Sequence, residues 1–307
     1  MRKKLLAAFV LLAVAGAAGG SVFFWLLLHR APGEIFDSNG VPIYYTVEGR
    51  GEPLVLIHGI GANADLNWRR PGVTALLARD FQVIAFDLRG HGRSGQPTDP
   101  GQYGPELVED VVRLMDHLHI DKAHVAGYSL GGFIALKLIT THPDRVRSAA
   151  ICAAGWSDAA DPSKLPNPYA APAPPGGLKA KIPEVSGASV LPLPAATEKT
   201  LFNSVRSWVG DHIVNKTALK ALKKSYAALR VPVENLKDNK VPSICLIGKR
   251  DGLYYLAEAL NDRMANLEYV RIEGANHFTT PFYSTFQSNL LDFFKRHRTV
   301  PVPQGPM

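Results

Sequence analysis

Gly127-Tyr128-Ser129-Leu130-Gly131 sets a serine between two glycines, after the apolar run Ala123–Ala126 and before a helix-patterned stretch, Gly131–Thr141. A strand-to-helix turn of this kind lifts the hydroxyl above a sheet, and the glycines let the two elements pack closely. The helix N-terminus adds unpaired N–H groups and positive potential where an oxyanion would form. A serine hydroxyl is a weak nucleophile until a base takes its proton. His277, in Gly274-Ala275-Asn276-His277-Phe278 after the strand expected at Leu267–Ile272, is placed to take that proton and return it to a leaving group. Asp251, in Gly248-Lys249-Arg250-Asp251-Gly252 after Ser243–Ile247, would hold the imidazole in the required tautomer. Asp158 and Asp161, just past the strand expected to end at Ala153, compete for that acidic role. His58-Gly59-Ile60-Gly61 forms a glycine turn after another apolar run, and the amides of Ile60 and Leu130 are the candidate oxyanion donors. His58 itself reads as a turn-fixing residue. This is nucleophilic acyl chemistry, and it calls for no metal and no organic cofactor.

Such residues must be delivered to one place by elements far apart in the chain. Glu34-Ile35-Phe36 and Pro42–Val47 flank Asp37-Ser38-Asn39-Gly40, a hairpin signal that implies an antiparallel edge. Strands are expected at Leu54–Ile57, Phe81–Phe86, Ala123–Ala126, Val146–Ala153, Ser243–Ile247 and Leu267–Ile272. Helices are expected at Ala64–Ala78 with a break at Pro71, and at Pro105–Leu118, Gly131–Thr141, Leu253–Ala265 and Pro281–Arg296. Alternating strands and helices, with continuously apolar strands, argue for an α/β fold whose mostly parallel sheet carries helices on both faces. With 46% hydrophobic residues in 307, the chain can bury one large core or two small ones. Cys152 and Cys245 both lie in apolar runs and read as inert core thiols.

The rhythm breaks between Gly155 and Asn239. A Pro/Ala-rich stretch gives way to a helical pattern from Ala196 to Val233, read as a helical lid inserted between two core strands. Within Lys216–Arg230, Leu219, Leu222, Tyr226 and Leu229 share one helical face, while Lys216, Lys220, Lys223 and Lys224 crowd another. The plain reading packs the leucines on the core and leaves the lysines in water. The sharper reading rests the lysines on anionic headgroups, each adding about 1 kcal/mol, so that a lipidic ester enters from a bilayer. The net charge of +7 sits in Arg2, Lys3, Lys4 and in Lys179–Lys240, leaving a slightly acidic remainder and no nucleic-acid footprint.

Arg2-Lys3-Lys4 precede the uncharged run Leu5–Leu28. Crossing a bilayer core takes about 20 residues of helix, so this run reads as an N-terminal transmembrane anchor with the rest of the chain on the extracytoplasmic side. A cleaved signal peptide, with a site among Ala13–Gly20, is the competing reading and would give a secreted or periplasmic protein. The expected organisation is an anchor at 1–30, a first core part at 31–155, a lid or cap at 156–239 and a second core part at 240–307.

Taken together, HGIG, DLRGHGRSG (Asp87–Gly95), GYSLGG, GKRD and GANHF resemble the α/β-hydrolase superfamily, within it the lid-bearing serine esterase and meta-cleavage-product-hydrolase branch. The resemblance runs from about Glu34 to Arg298. It implies the chain order Ser129, Asp251, His277 for nucleophile, acid and base, and structural roles for Asp87, Arg89 and His91. Two departures stand out. Gly252-Leu253-Tyr254-Tyr255 occupies the place where the family often has a proline soon after the acid, and the nucleophile is serine rather than aspartate, which disfavours covalent alkyl transfer. The expected activity is hydrolysis of a carboxylic ester, with a small-molecule or lipid ester as substrate. Amide, thioester or carbon–carbon hydrolysis and acyl transfer would use the same residues, and a catalytically silent binding protein on this fold is the reading from another class.

Overall fold

The computed structural model describes residues 31–157 and 215–299. The expected anchor, Asp158, Asp161 and most of the insertion lie outside these residues. Eight strands are described: β1 (Glu34–Ser38), β2 (Val41–Glu48), β3 (Glu52–Ile57), β4 (Phe81–Phe86), β5 (Ala123–Tyr128), β6 (Val146–Cys152), β7 (Ser243–Gly248) and β8 (Leu267–Ile272). They form one sheet in the order β1-β2-β4-β3-β5-β6-β7-β8. β1 and β2 are antiparallel, β2 runs antiparallel to β4, and every other pairing is parallel. The hairpin turns on Asn39-Gly40, both at positive φ, and Gly40 N–H donates to the Asp37 carboxylate.

Because side chains alternate across a strand, Val55 and Ile57 of β3 enter one core while Leu54 and Leu56 enter the other. Helices cover both faces. On the first are α2 (Glu106–His117) and α3 (Leu130–Thr141), with Leu107, Val111, Ile134 and Leu138 inward. On the second are α1 (Val73–Leu77) and α7 (Ser284–Arg296), with Leu77, Phe286 and Phe293 inward. The expected Ala64–Ala78 helix is broken into a π-helical turn (Asp65–Arg69) and α1, because Pro71 offers no amide and Gly72 adopts φ 88°. The helix expected at Leu253–Ala265 is the shorter α6 (Tyr254–Asn261). The one expected from Pro281 starts as a 3-10 turn and becomes helical at Ser284.

The described end of the insertion holds α4 (Lys216–Lys224) and α5 (Val233–Lys237). Asn215 caps α4 by accepting from the Thr217 amide. Ala221, Leu222, Leu229 and Leu236 pack into the same core as α2 and α3, and Lys216, Lys220, Lys223 and Lys224 face outward. Cys152 and Cys245 are free, fully buried thiols on neighbouring strands, and burial pushes both pKa values up. Among the described residues no helix is long and apolar enough to cross a membrane.

Candidate active site

The parallel order of β5, β6, β7 and β8 brings three loops to one end of the sheet. Ser129 stands between β5 and α3 with φ 54° and ψ −115°, a conformation L-residues rarely adopt and one that costs about 1–3 kcal/mol. The surroundings enforce it. Ser129 N–H donates to Cys152 O at 2.8 Å, and the Gly132 and Phe133 amides donate back to Ser129 O. A Cβ on Gly127 would collide with Gly131 O, and one on Gly131 with Ile57 O, so only glycine lets α3 sit this close to the sheet.

His277 and Asp251 come from the loops after β8 and β7, and those loops are laced together. Lys249 N–H donates to Ile272 O at 3.0 Å and Arg250 N–H to Ala275 O at 2.9 Å. Asn276 folds the histidine loop on itself, its side-chain oxygen accepting from the Phe278 and Thr279 amides. The result is a relay. Asp251 Oδ2 lies 2.7 Å from His277 Nδ1, and His277 Nε2 lies 3.0 Å from Ser129 Oγ. With Nδ1–H donating to the carboxylate, the Nε2 lone pair accepts the serine O–H. Asp251 is fully buried, and Ser129 and His277 are only 7% and 5% exposed.

The departure from the family pattern after the acid has a local consequence. Leu253 N–H donates to Asp251 Oδ1 at 2.8 Å, so the second carboxylate oxygen is occupied by an amide that a proline at 253 would lack. Sequence reasoning also overlooked Tyr128. Its buried hydroxyl donates to His277 O at 2.7 Å, fastening the histidine loop to the strand that carries the nucleophile. The only signal was its position in the variable slot of G-x-S-x-G.

The Ile60 and Leu130 amides have no acceptor among the described residues, as donors reserved for a substrate oxygen would not. His58 is fully buried, with Nδ1 at 2.7 Å from Gly59 O and Nε2 accepting from Leu88 N–H, which agrees with a turn-fixing role. The DLRGHGRSG loop is likewise a brace. The Asp87 carboxylate accepts from the Ala64 and Arg93 amides, Arg89 pairs through two nitrogens with buried Asp110, and His91 Nε2 accepts from Gly61 N–H. Burial, reinforced by nearby His58, lowers the His91 pKa to about 3, so its ring stays neutral and able to accept. Among the described residues no group of three or more His, Cys, Asp or Glu side chains comes together as a metal site.

Comparison with known proteins agrees with this geometry. The sequence pattern of the alpha/beta hydrolase fold matches residues 52–280. A provisionally named carbamate hydrolase of Azorhizobium caulinodans is 41% identical over 117 residues, 38% of this chain and 42% of that protein. The 2-hydroxymuconate semialdehyde hydrolase of a Pseudomonas species is 44% identical over 102 residues, 32% of this chain and 35% of that one. The matched segments thus span less than half the length of these relatives. Among solved structures, a bacterial membrane phospholipase A superposes with a TM-score of 0.63 at 22% identity, covering 98% of this chain and all of that one. At that identity the likeness speaks for the fold alone.

Proposed function

The chain belongs to the α/β-hydrolase family, and from that membership and the relay at Ser129 we propose that it hydrolyses a carboxylic ester through an acyl-enzyme on that serine. The observation that carries the reading is the unbroken line of hydrogen-bond distances from Asp251 through His277 to Ser129. Ser129 Oγ attacks the ester carbonyl while His277 Nε2 takes its proton, and the carbonyl electrons move onto oxygen. The Ile60 and Leu130 amides receive that oxyanion, each such donor being worth about 2.7–4 kcal/mol of transition-state stabilisation. As the carbonyl reforms, the imidazolium gives its proton to the departing alkoxide, releasing the alcohol. Water then repeats the sequence against the acyl-enzyme, losing a proton to His277 and returning Ser129 to its starting state. Asp251 keeps the imidazole oriented and stabilises its charged form without taking the proton.

Carbon–carbon bond hydrolysis is the second reading, favoured by the 44% identity over 102 residues with 2-hydroxymuconate semialdehyde hydrolase. The same serine and histidine would serve it. A fluorophosphonate probe, applied to the wild type and to Ser129→Ala and His277→Ala, tests the shared premise. Labelling is expected to vanish with Ser129→Ala and to fall at least about 100-fold in rate with His277→Ala. Turnover of p-nitrophenyl esters of increasing chain length against a meta-cleavage-type diketone then separates the two readings. A folded wild type that is neither labelled nor active would transfer the case to a silent binding protein.

A further inference from the structure

The amides of Gly59, Ile60, Gly61 and Ala62 follow one another along the turn after β3. Gly59 N–H donates to Asn67 Oδ1 at 2.8 Å, Gly61 N–H to His91 Nε2 at 3.1 Å and Ala62 N–H to Gly59 O at 3.2 Å. Of the four, Ile60 alone has no acceptor among the described residues. We infer that Asn67 and His91 are positioning residues that hold the amides on either side of Ile60 and thereby aim the Ile60 N–H as an oxyanion donor. The inference rests on the acyl chemistry proposed above.

Each amide is rigid about its C–N bond, so anchoring the Gly59 and Gly61 N–H groups fixes the planes before and after the one that carries the Ile60 N–H. A donor held in advance costs no reorganisation when charge develops, which is what makes such groups effective. Both clamps are themselves held. Asn67 lies in the π-helical turn beside fully buried Trp68, whose ring meets that of Tyr128 edge-on at 6.0 Å, so the clamp is registered to the strand that presents Ser129. His91 is fully buried, its ring 5.2 Å from that of His58 and its Nδ1 3.2 Å from Arg89 O. Accepting on Nε2 requires the proton on Nδ1, directed at that carbonyl. A Cβ at Gly59 would stand 3.1 Å from the Ser129 Cβ and 3.4 Å from Asn67 Oδ1, so the clamped turn lies directly against the nucleophile.

The test compares Asn67→Leu and His91→Leu, which remove the acceptors, with Asn67→Asp and His91→Gln, which keep one. Measured on p-nitrophenyl esters, the leucine variants are expected to lose about 10- to 100-fold in kcat, less than complete loss of a donor, with KM changed less than about threefold. They should bind a trifluoromethyl ketone, which forms a tetrahedral oxyanion on the serine, weaker by the same factor. Asp and Gln variants are expected to recover most of that loss in both readouts. Should the leucine variants not fold, Asn67→Ala and His91→Ala carry the same comparison. Folded acceptor-less variants with wild-type kcat and ketone affinity, or Asp and Gln variants as impaired as leucine, would overturn the inference. An inactive, unlabelled wild type would instead remove the proposed function on which it rests.

Discussion

Ser129 illustrates how a single residue can be chosen against its own backbone. Its φ of 54° with ψ of −115° suits glycine, yet the position carries a side chain because the hydroxyl must be delivered there. Strain of this kind, about 1–3 kcal/mol, is borne by the hydrogen bonds to Cys152 and from Gly132 and Phe133. Ser129→Gly should therefore lose all probe labelling while gaining about 1 kcal/mol of stability over Ser129→Ala. The two variants share the missing hydroxyl and differ in the strain, so urea unfolding separates them. A glycine variant less stable than the alanine one would show that the turn is not strained in the sense argued. At this scale the members of the hydrogen-bonded relay were legible as candidates, since Ser129, Asp251 and His277 each follow a strand in a glycine-bearing turn. Tyr128 and Asn67 were not, because a hydrogen bond to a distant backbone leaves no local pattern.

At the scale of elements, α4 decides how the insertion relates to the rest. Its lysines face outward as the sequence pattern required, but its inward face does not form a core of its own. Leu222 is fully buried among residues of α2, α3 and the sheet, together with Leu229 and Leu236. Leu222→Ala is accordingly expected to cost about 2–5 kcal/mol and to lower the midpoint of one global unfolding transition. A separate early transition, with the main one unmoved, would mean that the helix melts as an independent cap. The strands were foreseen to within two residues, β3 to β7 because a buried parallel strand is a largely apolar run and β1 and β2 through their hairpin signal. Helix limits moved more. The break at Pro71-Gly72 and the short α6 follow from local backbone geometry that apolar periodicity does not record.

For the whole molecule, pH acts through histidines sealed in the two cores. Burial is the leading cause that lowers His91 to about 3 and His124 to about 4. His91 is faced by His58, the Asp87 carboxylate and the Arg89 carbonyl. His124 is faced by Glu52, Ser148, Arg147, His297 and the rings of Phe81 and Phe294. Both folded-state values lie below the unfolded value of about 6.5, so between these limits the unfolded chain binds more protons. Their contribution is present in full above about pH 6.5 and is lost as pH falls toward 4 and then 3. Urea midpoints should drop between about pH 7.5 and about pH 5, and His124→Asn should make the drop smaller. An unchanged drop would show that His124 is not among the groups responsible.

The residue types, their chain order and the alternation of apolar runs with helical patterns are one-dimensional properties. They suffice for the α/β fold, the nucleophile turn and the candidates for acid and base, because each depends on neighbours within a few residues. Which aspartate faces His277 is a different kind of fact. It depends on β7 and β8 lying side by side, so that the Lys249 and Arg250 amides bind the loop that carries the histidine. The same holds for the turn after β3, whose Gly59 amide donates to Asn67 and whose Gly61 amide donates to His91, 30 residues away. Contacts between distant segments form only when burial of the apolar faces brings the strands together, and that packing alone decided them.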